Sequence, residues 1–339
     1  MSSQNPGSAN DDVDQPNDWP VELGDVFEQA LTCEYASLTG AGAPVTVPST
    51  PYVGAGTLDV STGLAYPAKA ERARRNPKVA LLFADPIGTR SGELPVVLVQ
   101  GHAAVRDTDL QANTDRYTRL AMAKLPAATK GQPRFLLKRM VFYYARIWIE
   151  IVPQRILWWE SRDLASEPKT WRSDPSRLLP ESDPPPTGRQ PSAWLSPPSD
   201  WRVVAARALR ELPFADLTFV DADGYPVCLP VTAGELAGEE GPLARGAGAP
   251  ELRAGPACLT VHGHDERFTT QENHTLIGSL AHDHDGLRLQ VERALADWSL
   301  TGNRAQIAIG FMRKGRMLTP RLSGEAARRG QPIPQVRLP

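Results

Sequence analysis

The chain has 339 residues, with 37 basic and 39 acidic side chains and a formal net charge of -2. That balance argues against a strongly basic nucleic-acid binder, and no run approaches the roughly 18 to 20 apolar residues of a membrane span. The length is generous for one core and comfortable for two. Residues 1–19 are polar and acidic without an apolar stretch, which predicts a disordered acidic tail rather than a secretory leader. Cys33, Cys228 and Cys258 are odd in number and lack metal-ligand spacing, so they are expected as small core residues in a reducing cytoplasm.

Helical periodicity runs through 21–31, with Val21, Val26, Phe27, Ala30 and Leu31 on one side. Two short strands, 35–39 and 44–48, flank a glycine turn at Gly40 and Gly42, and Pro48 and Pro51 place the second at an edge or a bend. A third strand, 57–61, leads into a short basic helix between Pro67 and Pro77, prolines that suit a first helical turn and a stop. Lys69 and Arg72 lie three apart on that helix and share a face. Hydroxyls at the strand end, Ser61 and Thr62, opposite two such cations make a phosphate seat. The bland reading is a solvated face with Glu71 paired to Arg75. Strands at 79–83 and 95–105 follow, separated by a glycine-rich loop at 88–92, with Gly101 expected at a bulge or close approach. A helix is expected over 109–124, capped near Asp107. The stretch 141–152 alternates as a half-buried strand should, and Trp158 or Trp159 after it is expected to plug the barrel end. Six strands with two or three helices predict a mainly β fold, a small barrel or sandwich.

Composition changes over 161–200, where Pro184-Pro185-Pro186 and Pro197-Pro198 predict a semi-rigid linker with little to bury. Beyond it the pattern partly repeats. Gly224, Pro226 and Pro230 stand at the same offset as Gly42, Pro44 and Pro48, and 257–262 echoes 57–61, which points to an internal duplication. Continued without gaps, the echo puts Thr270 and Asn273 where Lys69 and Arg72 stand, so the cation pair is missing from the second copy. His262 and His264 share a strand face near further histidines, but without a compact motif no metal site is expected.

The hairpin, the segment 44–51, the strand 58–62, the Lys-x-x-Arg-x-x-x-Asn-Pro helix from Lys69 to Pro77, and the strands 79–83 and 97–105 with their Gly-x-Ala-x-Val pattern resemble the pyridoxamine 5'-phosphate oxidase-like, FMN-binding split-barrel superfamily. The resemblance covers 20–160. It implies a split β-barrel with peripheral helices in two tandem copies, with 161–200 as linker, 201–325 as a degenerate second barrel and 326–339 as a tail. It further implies FMN, or the deazaflavin F420, in a cleft between two barrels. Lys69 and Arg72 would hold the phosphate with Ser61 and Thr62, Ser49, Thr50 and Pro51 would run along the ring, and Gln100 would lie near its polar edge.

The activity implied is an FMN-dependent oxidoreductase on a small organic substrate, its chemistry supplied mainly by the cofactor. Alternatives are an F420-dependent reductase, with Arg74, Arg75 and Lys78 available to an acidic tail, and a non-catalytic flavin or haem carrier or sensor. The two barrels would meet as an intramolecular pseudo-dimer or as a homodimer. No membrane or nucleic-acid partner is expected.

Overall fold

The computed structural model describes residues 17–85, 95–126, 131, 133–190, 193, 195–197, 199–232, 248–284, 286–295 and 298–339. Most of the acidic tail, the loop 88–92 and most of the insertion 233–254 lie outside the described residues.

A 3-10 turn at Val21–Leu23 and helix α1 (Gly24–Gln29) bury Leu23, Val26 and Phe27 against the first sheet, whereas Val21 is exposed. The hairpin of β1 (Cys33–Leu38) and β2 (Pro44–Ser49) turns through Gly42, whose φ of 79° is a left-handed conformation that glycine adopts without steric cost. After β3 (Tyr52–Val53) and β4 (Leu58–Gly63) comes helix α2 (Ala68–Arg75), then β5 (Lys78–Phe83) and β6 (Val96–Arg106). The register slips between Gln100 and Gly101, where a Cβ on Gly101 would stand 2.8 Å from the Val152 carbonyl oxygen. Gly101 is thus at once a bulge and a close approach. Helix α3 (Leu110–Lys124) is capped by Asp109, which accepts from the Ala112 N–H, rather than by Asp107.

The strand expected from 141 begins later. A short helix α4 (Arg134–Arg139) is followed by one helical turn, α5 (Val141–Tyr144), and β7 runs from Arg146 to Trp159. Phe142 meets Phe311 while Tyr144 meets Tyr117, and the helical turn sends these rings in their different directions. Alternation toward the core starts at Ile147 and continues through Ile149 and Ile151, all fully buried. The first sheet has the order β2-β1-β5-β6-β7-β4-β3 and closes around the first core as a split barrel, with the proline-bearing β2 at its edge.

The described part of 161–200 is tied down more than its composition suggests. Leu164 is fully buried, β8 (Lys169–Arg172) pairs with β7, and the Asp183 carboxylate accepts from Asp107 and Thr108 N–H. Helix α6 (Trp201–Glu211) then leads to β9 (Phe214–Val220), β10 (Pro226–Val231), β11 (Gly255–His264), β12 (Gln271–Asp283) and β13 (Gly286–Ala294), ordered β10-β9-β11-β12-β13. The second hairpin repeats the first: Gly224 has φ 78°, and Pro226 and Pro230 again lie on the edge strand.

The echo of 57–61 in 257–262 is not a structural equivalence. β11 pairs with β9 as β5 pairs with β1, so β11 takes the place of β5. Among the described residues the second copy has no counterpart of β3, β4 or α2. Thr270 accordingly falls in the turn just before β12 and Asn273 on β12, not on a helix.

The last helix, α7 (Arg304–Arg328), runs through the boundary placed at 325 and packs Leu318, Leu322 and Ala326 into the first core, not the second. The tail continues along α3, with Val336 buried and Gln331 accepting from the Leu110 N–H.

The two hairpins meet face to face. On the edge strand, the Thr46 carbonyl accepts from Thr260 and Thr275 hydroxyls at 3.0 and 3.1 Å, and its hydroxyl lies 2.7 Å from that of Thr218. Beside them His262 Nε2 stands 3.0 Å from Glu34 and 3.3 Å from Asp216, all three buried. Glu34 and Asp216 are the equivalent acids of the two hairpins, each opposite the second proline of its edge strand, Pro48 and Pro230. Spacing along the chain gives no means of pairing them. Burial alone would lower the His262 pKa, but Glu34 and Asp216 outweigh it and raise it to about 10 from 6.5. Burial raises Glu34, against His262. A raised folded pKa contributes stability that is complete below the unfolded value and is lost as pH climbs to the folded one. Relative to a variant that removes all three titrating groups (Glu34→Gln, Asp216→Asn and His262→Asn), wild type is therefore expected to be more stable at pH 6, with the gap narrowing by up to about 5 kcal/mol between pH 6.5 and 10 in urea unfolding. A gap constant over that range would refute the ion-triad reading.

Candidate cofactor site

The tandem halves enclose a cavity of about 2100 Å³, walled by β2, β4, α2, α3, α5, α7 and β12. That is roughly twice the upper end of ordinary small-ligand pockets of about 300–1000 Å³. Of the residues proposed from sequence, Ser49, Thr50, Ser61, Thr62, Lys69 and Arg72 all line it. β2 brings Ser49 and Thr50, the end of β4 brings Ser61 and Thr62, and α2 presents Lys69 and Arg72 one helical turn apart.

The other two lie elsewhere. Pro51 is buried, its carbonyl accepting from Lys124 at 2.6 Å. Gln100 donates to Asp221 at 2.9 Å and to the Pro226 carbonyl at 3.0 Å, while Arg155 donates to it. It braces the first sheet against the second hairpin, because its side chain leaves β6 on the face opposite the cavity. Arg74, Arg75 and Lys78 are also absent from the lining. Arg74 is ion-paired with Asp107, Arg75 faces Gln190, and Lys78 donates to the Asp223 carbonyl.

The two faces of α2 differ in their electrostatics. Glu71 and Arg74 look away from the cavity into a buried network in which Arg329 bridges Glu71 at 3.1 Å, Asp107 at 2.8 Å and Glu325 at 2.6 Å. Glu71 is thus paired with Arg329 and Arg74 instead of with Arg75. On the cavity face the cations have no acid partner among the described residues. Lys69 donates to Ser49 at 2.9 Å and Arg72 to Ser37 at 2.9 Å. Burial, reinforced by Arg146, pulls the Lys69 pKa from 10.5 to about 7, and burial lowers Arg72 as well. Arg146, at the start of β7, is the third deep cation. Arg139, Arg267, Arg293 and Arg316 line the more exposed part. Among the described residues the lining contains no Asp or Glu. Such a surface is complementary to an extended anion.

Apolar walls complete the cavity. Trp298 stacks on Tyr66 with centroids 5.8 Å apart and lies 6.3 Å from Tyr143, and Phe311 packs against Tyr143 at 5.5 Å. Trp298 and Phe311 come from the second half and could not be assigned to the site from sequence spacing. Trp158 and Trp159 sit in the two hydrophobic cores and do not line the cavity. Cys33 is buried, and burial pushes its thiol well up, which suits packing and not nucleophilic attack. Among the described residues no helix is long and apolar enough to cross a membrane.

No family model and no curated protein matches the sequence. Similar solved structures include a putative pyridoxamine 5'-phosphate oxidase from Listeria innocua, 22% identical over 40% of this chain and 94% of its own, with a TM-score of 0.28. A structure described as F420 reductase is 14% identical over 39% of this chain and 92% of its own, with a TM-score of 0.30. HutZ, the heme storage protein of Vibrio cholerae, is 11% identical over 39% and 88%, with a TM-score of 0.28.

Lys69 gives the cavity a measurable signature. In the ligand-free protein its ammonium is expected to titrate near 7 by NMR of the side-chain carbon. Inorganic phosphate should move the midpoint upward, because an anion favours the charged form. An ordinary midpoint above 10 that phosphate leaves unchanged would remove Lys69 from the seat.

Proposed function

We propose that this chain is an FMN-dependent oxidoreductase that binds its cofactor in the cavity between its tandem halves. What carries the reading is a pair of half-buried cations, Lys69 and Arg72, that face hydroxyls and, among the described residues, no carboxylate. Charges are buried at considerable cost unless paired, and a phosphate would supply the missing partner through charge-assisted hydrogen bonds. The donor set fits the group: two cations, with Ser49, Thr50, Ser61 and Thr62 close by, beside an aromatic wall for a planar ring.

Lys69 and Arg72 would hold the phosphate, with Ser61 and Thr62 assisting. Ser49 and Thr50 would run along the ring edge, and the aromatic residues of α5 and α7 would exclude water. When bound, the flavin supplies the hydride chemistry, and the protein's part is to position it and keep the site dry. The substrate would be a small organic molecule, for which the volume leaves room beside a flavin. One chain would carry one site, since α2 has no described counterpart in the second half.

A second reading, F420-dependent reduction, is favoured by the four outer arginines, because that cofactor carries an acidic tail beyond its phosphate. Arg139, Arg267, Arg293 and Arg316, rather than Arg74, Arg75 and Lys78, are the residues in place to meet it.

Colour separates the two readings. A flavin gives absorption bands at about 370 and 450 nm, and a deazaflavin a single band near ~420 nm. In either case Lys69→Ala with Arg72→Ala is expected to weaken cofactor binding on the order of a hundredfold or more, as loss of two charge-assisted contacts implies. Circular dichroism should be unchanged. Undiminished cofactor retention in the folded double variant would sink the phosphate assignment.

A further inference from the structure

Arg146 is the most enclosed cation of the cavity, and its surroundings differ from those of Lys69 and Arg72. It lies on β7 opposite Gly63 and is 7% exposed. One terminal nitrogen donates to the Tyr66 hydroxyl at 3.2 Å and the other to the Tyr117 hydroxyl at 2.8 Å. Its guanidinium carbon lies 4.1 Å from the centroid of the Tyr117 ring and 4.9 Å from that of Tyr143. Nε is buried without a partner, and no carboxylate among the described residues pairs with the group. A guanidinium has five N–H donors and stays charged throughout the working pH range. Here two neutral phenol oxygens and two ring faces are all that offset that charge. Elsewhere in the chain buried arginines are given acids: Arg74 has Asp107, and Arg329 has three carboxylates.

We propose that Arg146, with Tyr66 and Tyr117, is a second anion seat in the cavity that receives the carboxylate of a planar aromatic acid, the substrate of the site. A single fixed fork matches a carboxylate in charge and in geometry, whereas a phosphate dianion is better served by the two cations at Lys69 and Arg72. Tyr66 and Tyr117 accept from Arg146 and hold the fork in orientation, which lowers the cost of ordering it around a ligand. Trp298, Tyr143 and Phe311 flank the seat, an apolar, aromatic environment suited to a flat ring. The volume of about 2100 Å³ accommodates such an acid together with a cofactor. The inference deepens the cofactor reading and rests on it only in leaving Lys69 and Arg72 to the cofactor.

Benzoate is the probe, with benzamide as its neutral isostere and phenyl phosphate as the alternative anion. Binding is measured by calorimetry on the full chain, without and with saturating FMN. Benzoate is expected to bind in both states, more tightly than phenyl phosphate in the FMN-loaded protein and at least about tenfold more tightly than benzamide. Arg146→Met should weaken benzoate at least about tenfold while flavin affinity changes by less than about threefold. If Arg146→Met fails to fold, Arg146→Lys keeps the charge but loses the fork, and benzoate should still weaken by about tenfold. The Lys69→Ala, Arg72→Ala protein should lose flavin and keep benzoate. Unchanged benzoate affinity in a folded Arg146 variant overturns the seat, as do equal affinity for benzamide and a preference for phenyl phosphate over benzoate in the FMN-loaded protein. Joint loss of flavin and benzoate in the Arg146 variants also overturns it, by making Arg146 part of the cofactor seat. Flavin retained by the double variant would refute the cofactor reading alone, with benzoate binding still following Arg146.

Discussion

The contact on which the architecture depends is the docking of the first hairpin against its repeat. An edge strand presents backbone N–H and C=O groups that must be satisfied if they are buried. β2 is such a strand, and at Thr46 the second half meets the requirement with side chains: Cys258 sulfur accepts from the N–H at 3.4 Å, and two threonine hydroxyls donate to the carbonyl. The same interface carries the His262 triad. Because a buried charge demands a partner at short range, these contacts tolerate little displacement of one half against the other. The second half is thereby held over the first in the arrangement that closes the cavity.

The cavity in turn depends on α2, a short helix with a difficult assignment. It has to hold Lys69 and Arg72 in an enclosed space without neutralising them, which is destabilising locally. Its other face is tied through Glu71 and Arg74 to Arg329, Asp107 and Glu325, a buried network of arginines and acids. Arg329 follows α7, the helix that also contributes Phe311 and buries Leu322 in the first core. The C-terminal helix therefore does two things for the cavity: it supplies a wall and it anchors the helix that carries Lys69 and Arg72. Neither role needs the second half to be a complete barrel, and among the described residues the second half keeps its hairpin but shows no counterpart of β3, β4 or α2.

Local patterns were legible wherever one residue type enforces one conformation. The glycine-turn hairpins, the prolines on edge strands and the proline-bounded basic helix came out at the expected places, and so did the shared face of Lys69 and Arg72. Errors arose where local patterns allow two answers. The aromatic run 141–144 has the composition of a strand, but its rings are required in several directions at once, and a helical turn provides them. The repeat of 57–61 in 257–262 is real as a strand pattern, yet strand order assigns β11 to the place of β5. Spacing along the chain carries no information about which neighbour a strand will pair with.

The sequence by itself determined the mainly β character, the duplicated hairpin and the cations of α2, because those follow from periodicity, turn chemistry and helical spacing. Only the tertiary structure decided which charges are neutralised. Glu71 and Arg74 stand beside Lys69 and Arg72 in the same eight-residue helix, but Glu71 meets Arg329, 258 positions away, and Arg74 meets Asp107, 33 positions away, whereas Lys69 and Arg72 face a cavity with no acid among the described residues. The position of Arg146 among tyrosines, the removal of Gln100 to the sheet interface and the meeting of Glu34 with Asp216 and His262 were decided in the same way. Each depends on long-range packing, which sets the burial and the partners of a charge and so determines whether it is structural or available to a ligand.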